Sequence, residues 1–437
     1  MKIFQANDIR GIYGKELSDE LAKKIGYAFQ KITNAKKIII ARDNRLSSEN
    51  LKNSFLYGID AEIIDIGVVP VSLFYFVMNK YYSQDSGVMI TASHLGKELN
   101  GFKFINRTNN LTYENGIKEI EDIAGLLINV EYKEKNIILK NYSKEYINWI
   151  TKDIKVKKRL RIIIDSGNGI VGPYFIKALK KLKINYYGLH LDPDGRFPNH
   201  IANPMIKNSL EDIRREVVRK RASFGLAFDG DGDRVRLIAE DSEIIDNDFL
   251  LAMLSHSILL EKKIKVIYTN VCSSVVKDVV KMYKGKPILG KIGHSYIINM
   301  AKKEKVDLVG EFSGHFGFKE NFYYDDGLYA GLRIIEMINK NRGFFNDLRE
   351  LRKNYYLTDE IRIKSKNKMD IVKKLNTLLR NKRKSNFDGL KIYFKGGWAL
   401  IRASNTEDLI SFRAEAKDKA ELKAITNLIL SKIKKFA

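Results

Sequence analysis

Three stretches of the chain share one pattern, and that pattern limits the folds open to it. "KKIIIARDNRLS" starts at Lys36, "LRIIIDSGNGIVG" at Leu160 and "IKVIYTNVCSS" at Ile264. Each has a basic or apolar lead, a short β-branched run, and a polar loop that opens a helical segment. An apolar run without alternation marks a strand buried on both faces, as in parallel sheets. Recurrence at roughly hundred-residue spacing predicts three related α/β domains. The 437 residues agree, because a chain that long outgrows a single core and suggests three or four domains.

The C-terminal part reads differently. "DEIRIKSK" predicts a strand and "MDIVKKLNTLLRNKRK" has helical spacing. In "LKIYFKGGWALIRAS", Gly396-Gly397 between alternating runs predicts a two-residue hairpin turn. "DLISFRAEA" supplies a further strand, and "DKAELKAITNLILSKIKKF" closes as an amphipathic helix, Asp near its start and Lys at its end. This is an α+β module, separate from the three repeats.

Composition excludes several classes. A single cysteine, Cys272, leaves no internal disulfide and no cysteine metal cluster. "MKIFQANDIRGIYG" lacks the apolar core of a signal peptide. No run approaches the roughly 18 apolar residues of a membrane helix, and "IGVVPVSLFYFVM" is shorter and carries Pro70. A cytoplasmic protein with no membrane partner is expected. The formal charge of +24 invites a nucleic-acid reading. Lysine, however, is spread along the chain, and the densest clusters, "KVKKRLR" and "RNKRKS", are short and lack aromatics. No nucleic-acid partner is expected; the positive field suits an anionic small-molecule substrate.

The chemistry concentrates in "FGLAFDGDGDRVRLIA". Asp229, Asp231 and Asp233 lie so close that they repel unless a cation or proton sits among them. Carboxylate oxygens suit magnesium or calcium better than zinc. A solvated acidic turn would not be flanked by the apolar Leu226-Ala227-Phe228 and Val235 to Ala239. An EF-hand would need glycine where Arg234 stands and helices where strands are predicted. An aspartyl phosphatase motif D-x-D-x-T/V would have Thr or Val where Asp233 stands. A divalent cation and the Arg234 guanidinium beside one phosphate fit better.

Three more loops carry reactive side chains. "GVMITASHLGKELNGFKF" runs a strand into a turn with Ser93 and His94 at its tip. Serine needs help to act as a nucleophile, which a metal and a phosphoryl donor can supply. In "GEFSGHFGF", Glu311, Ser313 and His315 alternate, so an extended segment would point all three to one side, toward vicinal sugar hydroxyls. "RASNTEDL" places Arg402, Ser404, Asn405 and Thr406 between two predicted strands, an anion cradle. Each loop alone could be polar by chance.

Together, in order, these loops resemble the α-D-phosphohexomutase superfamily, nearest its bacterial phosphomannomutase/phosphoglucomutase branch. "DIRGIYG", "ARDNRLSS", "TASH", "NGFKF", "DSGNGIVG", "DGRFPNH", "FDGDGDR", "IGHS", "GEFSGH", "DDGLYAG" and "RASNTE" follow the family's sequence across nearly the whole chain. The resemblance implies three similar α/β domains with mixed sheets and a fourth α+β domain around a central cleft. The expected boundaries are 1–138, 139–243, 244–354 and 355–437. It implies interconversion of hexose 1-phosphate and 6-phosphate, of mannose, glucose or both, through a phosphoserine enzyme and a hexose 1,6-bisphosphate. By position, Ser93 would be the phosphoserine, and Asp229, Asp231, Asp233 and a phosphoserine oxygen would hold Mg²⁺. Glu311 and Ser313 would grip sugar hydroxyls, and Arg402, Ser404, Asn405 and Thr406 the non-reacting phosphate. Arg10, His94, Lys103, Arg234, His294 and His315 would complete the active cleft, Lys103 or His315 transferring the proton. Partners would be sugar phosphates, and the chain a monomer or weak homo-oligomer.

Departures are specific. Leu95-Gly96 replaces the usual Asn-Pro after the serine loop, Val271 stands near a frequent lysine, and Asn7 near a frequent aromatic. The phosphoglucosamine branch usually has glutamine where Phe312 stands and R-P-S-G-T-E in the fourth loop, so mannose or glucose is favoured. A Mg²⁺-dependent phosphatase is the other alternative, with "YYDDG" as a second acidic motif.

Overall fold

The computed structural model describes residues 3–157, 159–341, 343–404 and 408–436. It divides into two compact units. The first comprises Met1–Asn247, Gly293–Val309 and Ser313–Arg342.

Two mixed sheets organise this unit. The larger runs in the order Ile9–Ile12, Leu99–Asn106, Ser86–Ile90, Lys37–Arg42, Glu62–Val68 and Ile137–Leu139. The last four are mutually parallel; Leu99–Asn106 returns antiparallel to Ser86–Ile90. Ile38, Ile39 and Ile40 are fully buried, as an unalternated run requires. Helix Asp19–Thr33 begins where Ser18 Oγ accepts the Leu21 amide at 3.2 Å. Asp19 and Glu20 favour that positive end, and Asn34 ends the helix in the left-handed region at φ 49°. Its Phe29 stacks on Phe104 at 4.9 Å between ring centres.

The second sheet has the order Val235–Ile238, Phe224–Phe228, Arg161–Asp165 and Asn185–Leu189. Its last three strands are parallel and Val235–Ile238 is antiparallel. Both sheets therefore contain one device. A buried parallel strand runs into a loop and returns antiparallel beside itself. The two loops so placed are the serine loop and the three-aspartate loop.

The second unit comprises Asp248–Ile292, Gly310–Phe312 and Gly343–Ala437. Strands Lys265–Thr269 and Lys286–Gly290 pair in parallel. An antiparallel sheet follows the order Tyr356–Leu357, Leu409–Ala416, Gly397–Ala403, Leu390–Tyr393 and Lys384–Ser385, with Ile361–Lys364 also paired to Leu409–Ala416. Helices Lys368–Leu378 and Lys419–Phe436 cover it through Leu375, Ile425, Ile429 and Ile433. The α+β tail shares this unit with residues 248–292. Arg413 makes an ion pair with Asp248 at 2.7 Å, and Glu415 accepts from Ser273 Oγ and, at 2.9 Å, from Trp398 Nε1. Removing one partner of such a buried pair strands the other charge, so these contacts lock the two parts together. Cys272 is buried here, and burial pushes its thiol up to about 12.

Two local expectations change. The hairpin turn is Lys395-Gly396, one residue early, because Phe394 and Gly397 already pair and the Phe394 amide donates to the Gly397 carbonyl at 2.8 Å. Residues 311–314 form a turn, not an extended row, because Gly314 takes φ 92°. Among the described residues no helix is long and apolar enough to cross a membrane.

Candidate active site

The site in the first unit is built from the two return loops. Thr91 leaves strand Ser86–Ile90 and works in both directions. Its hydroxyl accepts the Ser93 amide at 2.8 Å and donates to Asp231 at 3.1 Å. Ser93 sits at φ 52°, an uncommon conformation for a residue with a side chain, and is buried. Its hydroxyl lies 2.9 Å from Asp229 Oδ2 and 3.2 Å from His94 Nδ1. The Ser93 hydroxyl therefore touches the acidic loop directly.

A residue given no role on the sequence holds this loop in place. Arg45, from "ARDNRLSS", is fully buried and uses its whole guanidinium. Nε donates to Asp43 at 3.1 Å. The other nitrogens donate to the carbonyls of Ser93 (2.8 Å), Leu95 (2.7 Å), Gly96 (2.6 Å) and Leu99 (2.9 Å). The loop with Leu95-Gly96 in place of Asn-Pro is thus fastened through its backbone, where side-chain identity matters little.

The acidic loop supports itself. Asp229 Oδ1 accepts the amides of Gly232 and Arg234, both at 3.1 Å. Gly230 is required by close approach: a Cβ there would lie 2.6 Å from the Ser93 carbonyl oxygen. All three aspartates are buried, and their ligand atoms lie within 4.8 Å of one another. Oδ1 of Asp231 is buried without a hydrogen bond. Buried oxygens so placed fit a hard divalent cation. Lys103, opposite Met89 in the return strand, partly fills that need, with Nζ 3.0 Å from Asp231 and 2.8 Å from Asp233.

Charge is arranged in opposite senses around the cluster. Burial and the neighbouring Asp233 and Asp231 push Asp229 well above the usual carboxylate range. Burial acts on Asp233 too, but Lys103, His315 and Arg234 outweigh it and hold Asp233 well below that range. Burial would lower Lys103, yet Asp231 and Asp233 raise it well above normal, so it stays charged. Burial, then Arg234 and Arg10, lower His94 well below the ordinary imidazole range, leaving it neutral. His315 is raised to about 10; burial opposes this, and Asp325 and Asp233 prevail. Its Nε2 lies 3.3 Å from Asp233 and 3.1 Å from Arg234 Nε. Arg234 Nε donates to that ring nitrogen, and the Asp233 charge beside it offsets the guanidinium. Ser313 Oγ meets the other ring nitrogen at 2.8 Å.

The first unit therefore brings together Ser93, His94, Lys103, Asp229, Asp231, Asp233, Arg234, Ser313 and His315. Arg10 belongs to the same unit, in an ion pair with Asp8 at 2.7 Å, and His294 opens helix His294–Glu304. Glu311, Arg402 and Ser404 belong to the second unit. Arg402 is the next-to-last residue of strand Gly397–Ala403 and is held by Asp388 at 3.1 Å, a partner the sequence reading missed. The Ser404 amide donates to the Leu409 carbonyl at 2.9 Å. Asn405 and Thr406 lie outside the described residues.

Comparison with known proteins adds an independent finding. Models of phosphoglucomutase/phosphomannomutase α/β/α domains I, II and III match residues 1–126, 144–242 and 246–356, and the C-terminal domain model matches 360–431. A phosphomannomutase/phosphoglucomutase of Pseudomonas syringae pv. tomato is 32% identical, covering 100% of this chain and 96% of its own. A phosphoglucomutase of Neisseria meningitidis is 33% identical over 97% of this chain and 95% of its own. A solved family protein from Burkholderia thailandensis superposes with a TM-score of 0.90 at 29% identity, covering 99% of this chain and 97% of that one. With all four domains matched in order and relatives aligned end to end, the chain belongs to the phosphoglucomutase/phosphomannomutase family of phosphotransferring isomerases.

Proposed function

We propose that Ser93 carries the phosphoryl group of a hexose phosphomutase acting on mannose phosphate, glucose phosphate or both. The observation that carries this reading is the Ser93 hydroxyl 2.9 Å from Asp229, inside a buried cluster of three aspartates. The aspartates would hold Mg²⁺, which supplies charge withdrawal from a phosphate on Ser93. In support, an Aspergillus fumigatus N-acetylphosphoglucosamine mutase of the same fold is described in complex with GlcNAc-6P and magnesium.

The chain's own groups do the rest. Phospho-Ser93 gives its phosphoryl to the free O1 or O6 of a hexose monophosphate: the Ser93 Oγ–P bond breaks and a sugar O–P bond forms. The resulting 1,6-bisphosphate turns around, and its other phosphate returns to Ser93. Arg234 steadies the moving group. The proton lost by the sugar hydroxyl equals the one Ser93 Oγ gains. Lys103 and His315 begin with their protons, as donors, and neutral His94 can accept one. Glu311 and Ser313 serve the sugar hydroxyls. Arg402, Ser404, Asn405 and Thr406 serve the idle phosphate. Domain boundaries at 138, 243 and 354, a cytoplasmic location and a monomer or weak homo-oligomer complete the reading.

Intact-mass analysis with digestion tests it. Phosphate is expected on the peptide holding Ser93; phosphate elsewhere on the chain overturns the assignment. Release of free phosphate without isomerisation would instead identify a sugar phosphatase. The cradle has its own test. An arginine–phosphate contact is worth roughly 1.5–3 kcal/mol, about ten- to a hundredfold in binding. Arg402→Ala should weaken 1-phosphate and 6-phosphate alike and make turnover depend on added bisphosphate. Loss in one direction only would show that Arg402 serves one end of the sugar.

A further inference from the structure

One cluster in the first unit has no part in this chemistry. Asp165 ends strand Arg161–Asp165, His190 follows strand Asn185–Leu189, and His200 stands in the next loop. The two strands are parallel neighbours, so their C-terminal ends bring the three residues together. One ligand atom from each lies within 4.8 Å of the others. The set is two imidazoles and one carboxylate, a different donor chemistry from the all-oxygen loop.

The outer contacts decide what this set can do. His200 Nδ1 donates to the Ile201 carbonyl at 2.9 Å, which orients the ring. Nε2 donates to Asp165 Oδ2 at 3.2 Å, and a metal would take the place of that proton. His190 Nε2 lies 3.1 Å from Asp212 Oδ2, while its Nδ1 makes no hydrogen bond. Asp165 Oδ1 accepts the Gly167 amide at 2.9 Å, which orients the carboxylate. Each of the three groups is therefore held by an outer partner: Gly167 for Asp165, Ile201 for His200 and Asp212 for His190. That is the support that metal-ligating histidines and carboxylates characteristically have. Ligand atoms around tetrahedral zinc stand about 3.3 Å apart, given bonds of about 2.0–2.2 Å. The His200–Asp165 edge already has this spacing, and rotation of the part-exposed His190 ring closes the remainder.

We propose that Asp165, His190 and His200 form a second metal site, for zinc, with a fourth position open to water. Its place gives it a structural consequence. Asp165 pairs with Ala227 in the strand that leads into the acidic loop. The Ile170 amide, just beyond, donates to the Gly230 carbonyl inside that loop at 3.0 Å. Zinc here would fasten the floor on which the catalytic aspartates stand.

The test uses the full chain, stripped with chelator, saturated with Mg²⁺ to occupy the aspartate loop, then given Zn²⁺ or Co²⁺ alone. The proposal expects one zinc per chain to survive gel filtration, by elemental analysis, and Co²⁺ to give the intense visible absorption of a tetrahedral site. Both should persist in Asp231→Asn and disappear in His190→Gln and His200→Gln. Asp212→Asn, at the outer rim, should weaken binding about ten- to a hundredfold. Zinc should raise the melting temperature of the wild type but not of His190→Gln. No retained zinc in the wild type overturns the proposal and leaves two histidine–carboxylate pairs that need no ion. So does zinc held equally well by the two histidine variants.

Discussion

The serine loop and the acidic loop occupy equivalent places in their sheets, yet they are held in opposite ways. Both join a buried parallel strand to its antiparallel return. The acidic loop folds its amides inward onto its own Asp229, so its shape is written in six consecutive residues. The serine loop turns carbonyls outward, and a distant arginine collects them. A loop that must hold an ion needs fixed ligands. A loop that must present a hydroxyl can borrow its rigidity from elsewhere. The contrast makes the first tolerant of its surroundings and the second dependent on Arg45.

Four substitutions probe that contrast. Ser93→Ala should have the largest effect, removing nearly all mutase turnover and the protein-bound phosphate while the acidic loop stays formed. Wild-type rates in that variant would remove Ser93 from the chemistry. Asp231→Asn comes next. Chelation should abolish wild-type turnover and Mg²⁺ restore it; the variant should need far more Mg²⁺ and remain folded by circular dichroism. Restoration by zinc but not magnesium would contradict an all-oxygen site.

Arg45→Lys separates the two loops most directly. An ammonium has three donors for the five hydrogen bonds Arg45 makes, so at least two buried acceptors lose a partner. Each costs about 1–3 kcal/mol. Hydrogen exchange should quicken across residues 93–99 and stay unchanged across 229–234; equal loosening of both would show that they are one structural unit. Gly230→Ala should have the smallest effect. The new methyl meets the Ser93 carbonyl, and overpacking of this kind costs about 1–3 kcal/mol, read as a lower melting temperature with the Mg²⁺ requirement kept.

The same contrast explains what could be read in advance. The aspartates, their flanking strands and the three repeats are local patterns, and each is present in the fold. Arg45 reaches its carbonyls across 48 to 54 residues, and Lys103 reaches Asp231 across 128, distances over which periodicity says nothing. The alternation of Glu311, Ser313 and His315 misled because Gly314 breaks the extended backbone that alternation assumes. Asp388 escaped notice because nothing beside it in sequence names Arg402 as its partner. Asp165, His190 and His200 escaped for the same reason, since each lies at the end of a different segment.

The backbone of Ser93 has one further consequence. A side chain held at φ 52° costs roughly 1–2 kcal/mol against an ordinary conformation, and glycine escapes most of that cost. Glycine there would also take from buried Asp229 the hydroxyl that lies 2.9 Å away, a loss of about 1–3 kcal/mol that offsets the relief. The strain at this codon is thus balanced within the site itself, and a screen for survival on heating alone would be nearly blind to it.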